Sequence, residues 1–204
     1  MIIGLTGGIA SGKSTAAQLL GAWGAYVIDA DKLGHSAYEK GSTAFDHVVT
    51  QFGPETVGDD GEIDRKILGG KVFGDPEALR ALTDIVWPAI RAKAHAEITS
   101  ALAQSPTRPV VLEAAVLIEA QWQDLADEIW VTVVDREVAI ERASTRDGSD
   151  RTQVEARIDS QISNEERCAE ANEVIDNSGS ATDLEARLKQ LWELVDTSTR
   201  GQTA

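Results

Sequence analysis

Residues 7–14 read Gly7-Gly8-Ile9-Ala10-Ser11-Gly12-Lys13-Ser14, with Thr15 next, and fill every fixed position of G-x-x-x-x-G-K-[ST]. This spacing suits the holding of a polyphosphate. Glycines let successive backbone N–H groups turn toward an anion. A helix beginning at the lysine adds the positive end of its dipole. Lys13 can reach the β- and γ-phosphates, and the Ser14 hydroxyl can hold magnesium. Gly8, Ile9, Ala10, Ser11, Gly12, Lys13, Ser14 and Thr15 are therefore expected to bind ATP with Mg2+, Ser14 as a metal ligand. Because Lys13 should face ligand rather than core, its truncation is expected to leave the fold largely intact. The competing reading is a chance match or a non-nucleotide loop. The motif does not fix what receives the phosphate.

Further chemistry-bearing residues lie at expected strand ends. Asp29 and Asp31 follow Tyr26-Val27-Ile28, and open parallel sheets bind ligands beyond the carboxyl ends of their strands. If that strand neighbours the first, Asp31 faces the phosphate loop, where a carboxylate can orient an acceptor hydroxyl and take its proton. Asp29 is a candidate for supporting magnesium or bracing Lys13. Capping of the next helix competes for both. Glu113 ends the third strand and is placed near the magnesium shell or the acceptor. Arg142 and Arg146 stand four apart on one helix face, suited to stabilising a transferring phosphoryl group. Without the phosphate loop, a helical hairpin laced with salt bridges would be the preferred explanation of them. His35 and Arg65 are candidate acceptor contacts, and Leu117 is a candidate wall residue of that pocket. Asn177 sits in an exit loop that can lie beside a nucleotide base, or form a simple turn.

The elements that would position these groups alternate strand and helix. Strands are expected at Ile2–Thr6, Tyr26–Ile28, Val110–Leu112, Ile129–Val134 and Val174-Ile175. A helix from Lys13 carries Ala16, Ala17, Leu19, Leu20 and Trp23 as its apolar face. Residues 32–104 lack a convincing buried strand and read as a helical insertion, with Trp87-Pro88 interrupting or kinking its last helix. Gly148 and Ser149 allow a lid-like bend. Thr152 with Glu155 reads as a capping box. The terminal helix runs Leu184–Leu194, with polar, frayed residues from Asp196. The expected fold is an α/β, P-loop NTPase-type three-layer α/β/α domain. It has a five-stranded parallel sheet, a helical acceptor-binding insertion and an arginine-bearing helical lid. The core spans 1–31 and 105–204, the lid approximately 136–170, the insertion 32–104.

At 204 residues with 42% hydrophobic content, the chain can bury a substantial core. A net charge of −15 without a long basic run argues against nucleic-acid binding. The single cysteine, Cys168, rules out an intramolecular disulfide. No apolar run approaches roughly 18 residues and no leader precedes the first strand, so no membrane association and a cytoplasmic location are expected. A monomer is expected, with a homo-oligomer left open. His47 and His95 lack the companions of a metal site.

From Leu5-Thr6-Gly7-Gly8-Ile9-Ala10-Ser11-Gly12-Lys13-Ser14 to Val174-Ile175-Asp176-Asn177 the chain resembles the dephospho-coenzyme A kinase family. The resemblance rests also on Asp29-Ala30-Asp31, Ile63-Asp64-Arg65 and Ala156-Arg157-Ile158-Asp159-Ser160-Gln161. It implies phosphorylation of the ribose 3′-hydroxyl of dephospho-coenzyme A by ATP, with Asp31 as base and Arg142 and Arg146 as lid arginines. It also implies that Ile63-Asp64-Arg65 belongs to the domain closing over the coenzyme moiety. Two segments depart from the family pattern: Trp87-Pro88 stands where it often has His-Pro, and Ala115-Val116-Leu117-Ile118-Glu119 where it usually has Pro-Leu-Leu-Phe-Glu. A nucleoside or nucleotide kinase is the alternative. A GTP-binding switch protein predicts an Asn-Lys-x-Asp motif on a late strand, which the sequence lacks.

Overall fold

The computed structural model describes residues 1–201, with side chains through Val195. Five strands, β1 (Ile2–Gly7), β2 (Tyr26–Asp29), β3 (Val110–Glu113), β4 (Glu128–Val133) and β5 (Glu173–Asp176), form one all-parallel sheet in the order β2-β3-β1-β4-β5. The helices are α1 (Lys13–Ala22), α2 (Ala30–Ser36), α3 (Thr43–Phe52), α4 (Arg65–Val72), α5 (Pro76–Gln104), α6 (Arg136–Asp147), α7 (Arg151–Asp159), α8 (Asn164–Ala169) and α9 (Ala181–Gly201).

The apolar strands follow the rule for parallel sheets, which are covered on both faces and read as near-continuous hydrophobic runs. Ile3, Leu5, Val111, Trp130 and Ile175 pack with Ala16, Ala17 and Leu20 of α1 and with Leu184, Leu188, Leu191 and Val195 of α9. Gly4 lies against Leu117, Ala126 and Ile129. This is the three-layer α/β/α arrangement expected from the alternation of elements.

Two compact units are present, Met1–Asp29 with Ile98–Ala204, and Ala30–Glu97. The second is helical. Its core is Val48, Phe52, Ile63, Leu68 and Val72, and its only extended pairing among the described residues is the bridge Val57–Ile63.

Several local expectations are corrected. β2 does not neighbour β1, because β3 lies between them and pairs with both. Pro88 does not interrupt α5, which runs unbroken through it. Thr152 does not cap α7. That helix starts at Arg151 after Asp150, and the Glu155 carboxylate accepts from Arg151 Nε at 2.7 Å instead. The capping box belongs to α8, where Ser163 and Glu166 exchange the two bonds. α9 continues to Gly201, beyond the expected Leu194. The side chains from Asp196 and residues 202–204, where fraying was expected, lie outside the described residues.

Candidate active site

The loop between β1 and α1 leaves the sheet at the strand where the order reverses, the position at which such sheets bind ligands. Two glycines of the motif are dictated by close approach. A Cβ on Gly7 would stand 2.2 Å from Thr132 Oγ1 and 2.5 Å from Ser11 Oγ. Gly12 has φ +90°, and a Cβ there would meet Asn177 Nδ2 at 2.1 Å. The tightness reflects bonds that hold the loop. Thr132 Oγ1 donates to Thr6 O at 3.2 Å, so its contact of 2.7 Å with Ser11 Oγ is donated by the serine. Asn177 Nδ2 donates to Ser11 O at 2.9 Å. Ile9 N donates to Gln161 Oε1 at 3.0 Å.

Lys13 and Ser14 converge on one oxygen. Glu113 Oε1 accepts from Lys13 Nζ at 2.9 Å and from Ser14 Oγ at 2.6 Å. The register explains this: Glu113 pairs with Leu5, so the carboxyl end of β3 lies directly beside the strand that feeds the loop. Lys13 is 9% exposed and Glu113 6%. Lys13 is thus a member of a buried ion pair, so its removal would cost the Glu113 carboxylate its charged partner. Asp29 pairs with Glu113 across the β2–β3 ladder and stands at the same sheet edge. Asp31 is in the first turn of α2, two residues past the end of β2.

The arginines of α6 and α7 have different partners from one another. Arg142 Nη1 donates to Asn177 O at 2.8 Å and Nη2 to Gly179 O at 3.3 Å, so it grips the exit loop of β5. Arg146 forms a two-bond fork with Asp147 at 2.7 and 3.0 Å. Arg157 reaches the same carboxylate at 3.1 Å. The Arg146 hydrogen bond, then that of Arg157, pulls the Asp147 pKa below its ordinary 3.8 to about 2. Arg136 binds Asp159, and Arg151 binds Glu137 and Glu155. Beneath these ion pairs Ile140, Ala143 and Val154 form an apolar cluster onto which Ile9, Ala10 and Ile158 pack.

Other expected residues are placed as follows. Leu117 is fully buried against Gly4, so its effect on any pocket is through packing. In the helical unit Asp64 caps α4 by accepting from Lys66 N and Ile67 N. The adjacent Arg65 donates to His35 O at 2.7 Å and lies over the Tyr38 ring at 5.3 Å. Asn177 is 6% exposed, and its amide is engaged with the phosphate loop. Arg167 was not anticipated. It is 2% exposed and donates to Ile162 O at 2.7 Å and to Glu119 Oε1 at 3.2 Å. α8 has only six residues, too few for periodicity to mark Arg167 as inward-facing.

A parallel sheet, a glycine loop running into a helix, and a buried lysine beside an exposed serine at its mouth define a P-loop nucleoside-triphosphate protein of the kinase type. The family model CoaE, dephospho-CoA kinase, matches residues 1–183. The chain is 44% identical over 191 residues to the dephospho-CoA kinase of Geobacter sulfurreducens, covering 94% of this chain and 96% of that one. It resembles the crystal structure of TT1252 from Thermus thermophilus with a TM-score of 0.76 and 35% identity, over 95% of this chain and 96% of that one. It resembles the dephospho-CoA kinase from Campylobacter jejuni with a TM-score of 0.73 and 26% identity, over 97% and 98% of the two chains. The chain belongs to the dephospho-CoA kinase family. Among the described residues no helix is long and apolar enough to cross a membrane.

Proposed function

We propose that the chain transfers the γ-phosphoryl group of ATP to the ribose 3′-hydroxyl of dephospho-CoA, giving CoA and ADP, the reaction for which its family is named. The observation that carries the reading is the convergence of Lys13 Nζ and Ser14 Oγ on Glu113 Oε1 inside a complete phosphate loop. Lys13 and the N–H groups of residues 12–15 hold the phosphates, and Glu113 keeps the lysine desolvated before substrate arrives.

Mg2+ fits the donor set: Ser14 Oγ, with Glu113 and Asp29 at the same edge, supplies the hard oxygens that the ion prefers. When bound, the ion offsets the negative charge of the β- and γ-phosphates. Asp31 orients the acceptor hydroxyl and takes its proton, a role supported by its position just beyond the carboxyl end of β2. Arg142 and Arg146, on a lid of residues 136–170, supply positive charge to the transferring group. The insertion, residues 32–104, binds the acceptor through Arg65 and His35, with Leu117 shaping the wall from beneath. Asn177 shapes the nucleotide side of the loop.

The test is an ADP-release assay with Mg-ATP and, separately, dephospho-CoA, AMP, CMP, uridine and pantothenate. Only dephospho-CoA should stimulate release. Preferential turnover of a nucleotide or nucleoside would replace the acceptor assignment.

A further inference from the structure

The phosphate loop contains one residue in a conformation its type disfavours. Ala10 has φ +56°, in the left-handed region, although it carries a Cβ. An L-residue populates that region roughly tenfold less readily than glycine does. Such a conformation persists where the surroundings over-determine it. The restraint comes from far along the chain: Gln161 Oε1 accepts the N–H of Ile9, 152 positions earlier. That bond fixes the peptide plane entering the Ile9–Ala10 turn.

The backbone that follows Gln161 is itself held. Arg167 binds the carbonyl of Ile162, the next residue, and the carboxylate of Glu119. Arg167 is buried and Glu119 half-buried, and both Arg167 Nε and Glu119 Oε2 lack a hydrogen-bond partner among the described residues. Buried polar atoms are rarely left so, and in native proteins such exceptions call for an explanation. Arg167 Nη1 lies 3.3 Å from where a Cβ on Gly8 would stand, and Gln161 Oε1 3.6 Å from it. The guanidinium and the amide therefore lie beside the same stretch of loop. Both also line a cavity of about 410 Å³ together with Gly8, Ile9 and Ser11.

We propose that Gln161 is a positioning residue for nucleotide binding. Its side-chain carbonyl holds the Ile9–Ala10 turn in the left-handed form that aims the following N–H groups at the phosphates, and the Arg167–Glu119 pair fixes Gln161 for that task. The proposal rests on nucleotide binding by the loop and not on the identity of the acceptor.

The experiment is titration calorimetry with Mg-ADP on wild type, Gln161→Met, Ala10→Gly and the double variant. Loss of one hydrogen bond to a half-buried amide that orders the loop weakens binding about tenfold, so Q161M should raise the ADP Kd by about that factor. Its KM for dephospho-CoA should stay at the wild-type value, and its thermal midpoint without nucleotide should fall by only about 2–4 °C, the effect of one lost hydrogen bond in a chain of this size. Where glycine removes the strain at position 10, the bond matters less, and Q161M/A10G should bind ADP within about threefold of A10G alone. The Ile9 amide should exchange slowly in the wild type and faster in Q161M. An ADP Kd for Q161M within twofold of wild type would overturn the proposal, as would an equal loss in both backgrounds. A large drop in the thermal midpoint of nucleotide-free Q161M would overturn it too, by assigning the bond to general stability. If wild type binds no Mg-ADP while remaining folded, it is the nucleotide assignment that fails. A fast-exchanging Ile9 amide in the wild type would reject the positioning role alone.

Discussion

Replacing Lys13 by methionine and Glu113 by glutamine, singly and together, separates what the ion pair does for the fold from what the lysine does for the reaction. The two side chains are 10% and 7% exposed, and Nζ lies 2.9 Å from Oε1. Breaking a buried pair by removing one partner costs about 3–5 kcal/mol. Ser14 Oγ still donates to the stranded carboxylate at 2.6 Å, which places K13M at the low end, about 3 kcal/mol. For a chain of this size that lowers Tm by roughly 6–12 °C. In K13M/E113Q the buried charge is gone, the amide oxygen still accepts from Ser14, and most of the lost stability should return. Turnover should not return, because the ammonium that meets the phosphates is absent from both variants, and each should fall at least about a hundredfold. Urea unfolding without nucleotide, run beside ADP release, reads both quantities. Equal stability of wild type and K13M would refute the energetic argument. Recovery of turnover in the double variant would refute the role of Lys13.

Arg142→Ala and Arg146→Ala should each lower turnover about a hundredfold while changing the ADP Kd far less, and their effects need not add; wild-type turnover at saturating substrates would leave Arg142 as a brace of the β5 exit loop and Arg146 as a surface partner of Asp147. The Asp147 carboxyl should titrate near 2, held down first by Arg146 and then by Arg157. Because its folded pKa is depressed, the stabilisation is fully present above the ordinary 3.8 and is lost as pH falls through about 2. Carboxyl-carbon NMR reads that midpoint, which R146A should raise, and a wild-type midpoint near 3.8 would contradict the fork geometry. Asp31→Asn should depress turnover by about 10²–10⁴ with little change in either KM; unchanged turnover would remove Asp31 from the chemistry.

The phosphate loop is legible because its function requires consecutive residues in fixed order. The strands are legible because burial on both faces makes them short apolar runs. Their lateral order is not. The placing of β3 between β1 and β2 depends on packing of the crossover segments, and residues 30–109 separate β2 from β3 in the chain. Hence Glu113, read only as a residue near magnesium or acceptor, turns out to anchor Lys13 and Ser14. Two stretches fit the capping-box pattern, Thr152 to Glu155 and Ser163 to Glu166, and pattern alone cannot choose. Arg151 decides by taking Glu155 for itself. Spacing put Arg142 and Arg146 on one face, yet one binds backbone carbonyls of the β5 exit loop and the other its own neighbour. Arg167 beside Glu165 and Glu166 looks like a surface charge. Only the fold shows it buried against Glu119.

The central claim concerns where the phosphate goes, and the product answers it most directly. Purified protein, Mg-ATP and dephospho-CoA should yield a species heavier by one phosphoryl group. Its phosphorus spectrum should show one new monoester resonance coupled to the ribose 3′ proton, formed in step with ADP. A product phosphorylated elsewhere, or ADP formed with dephospho-CoA unmodified, would contradict the account.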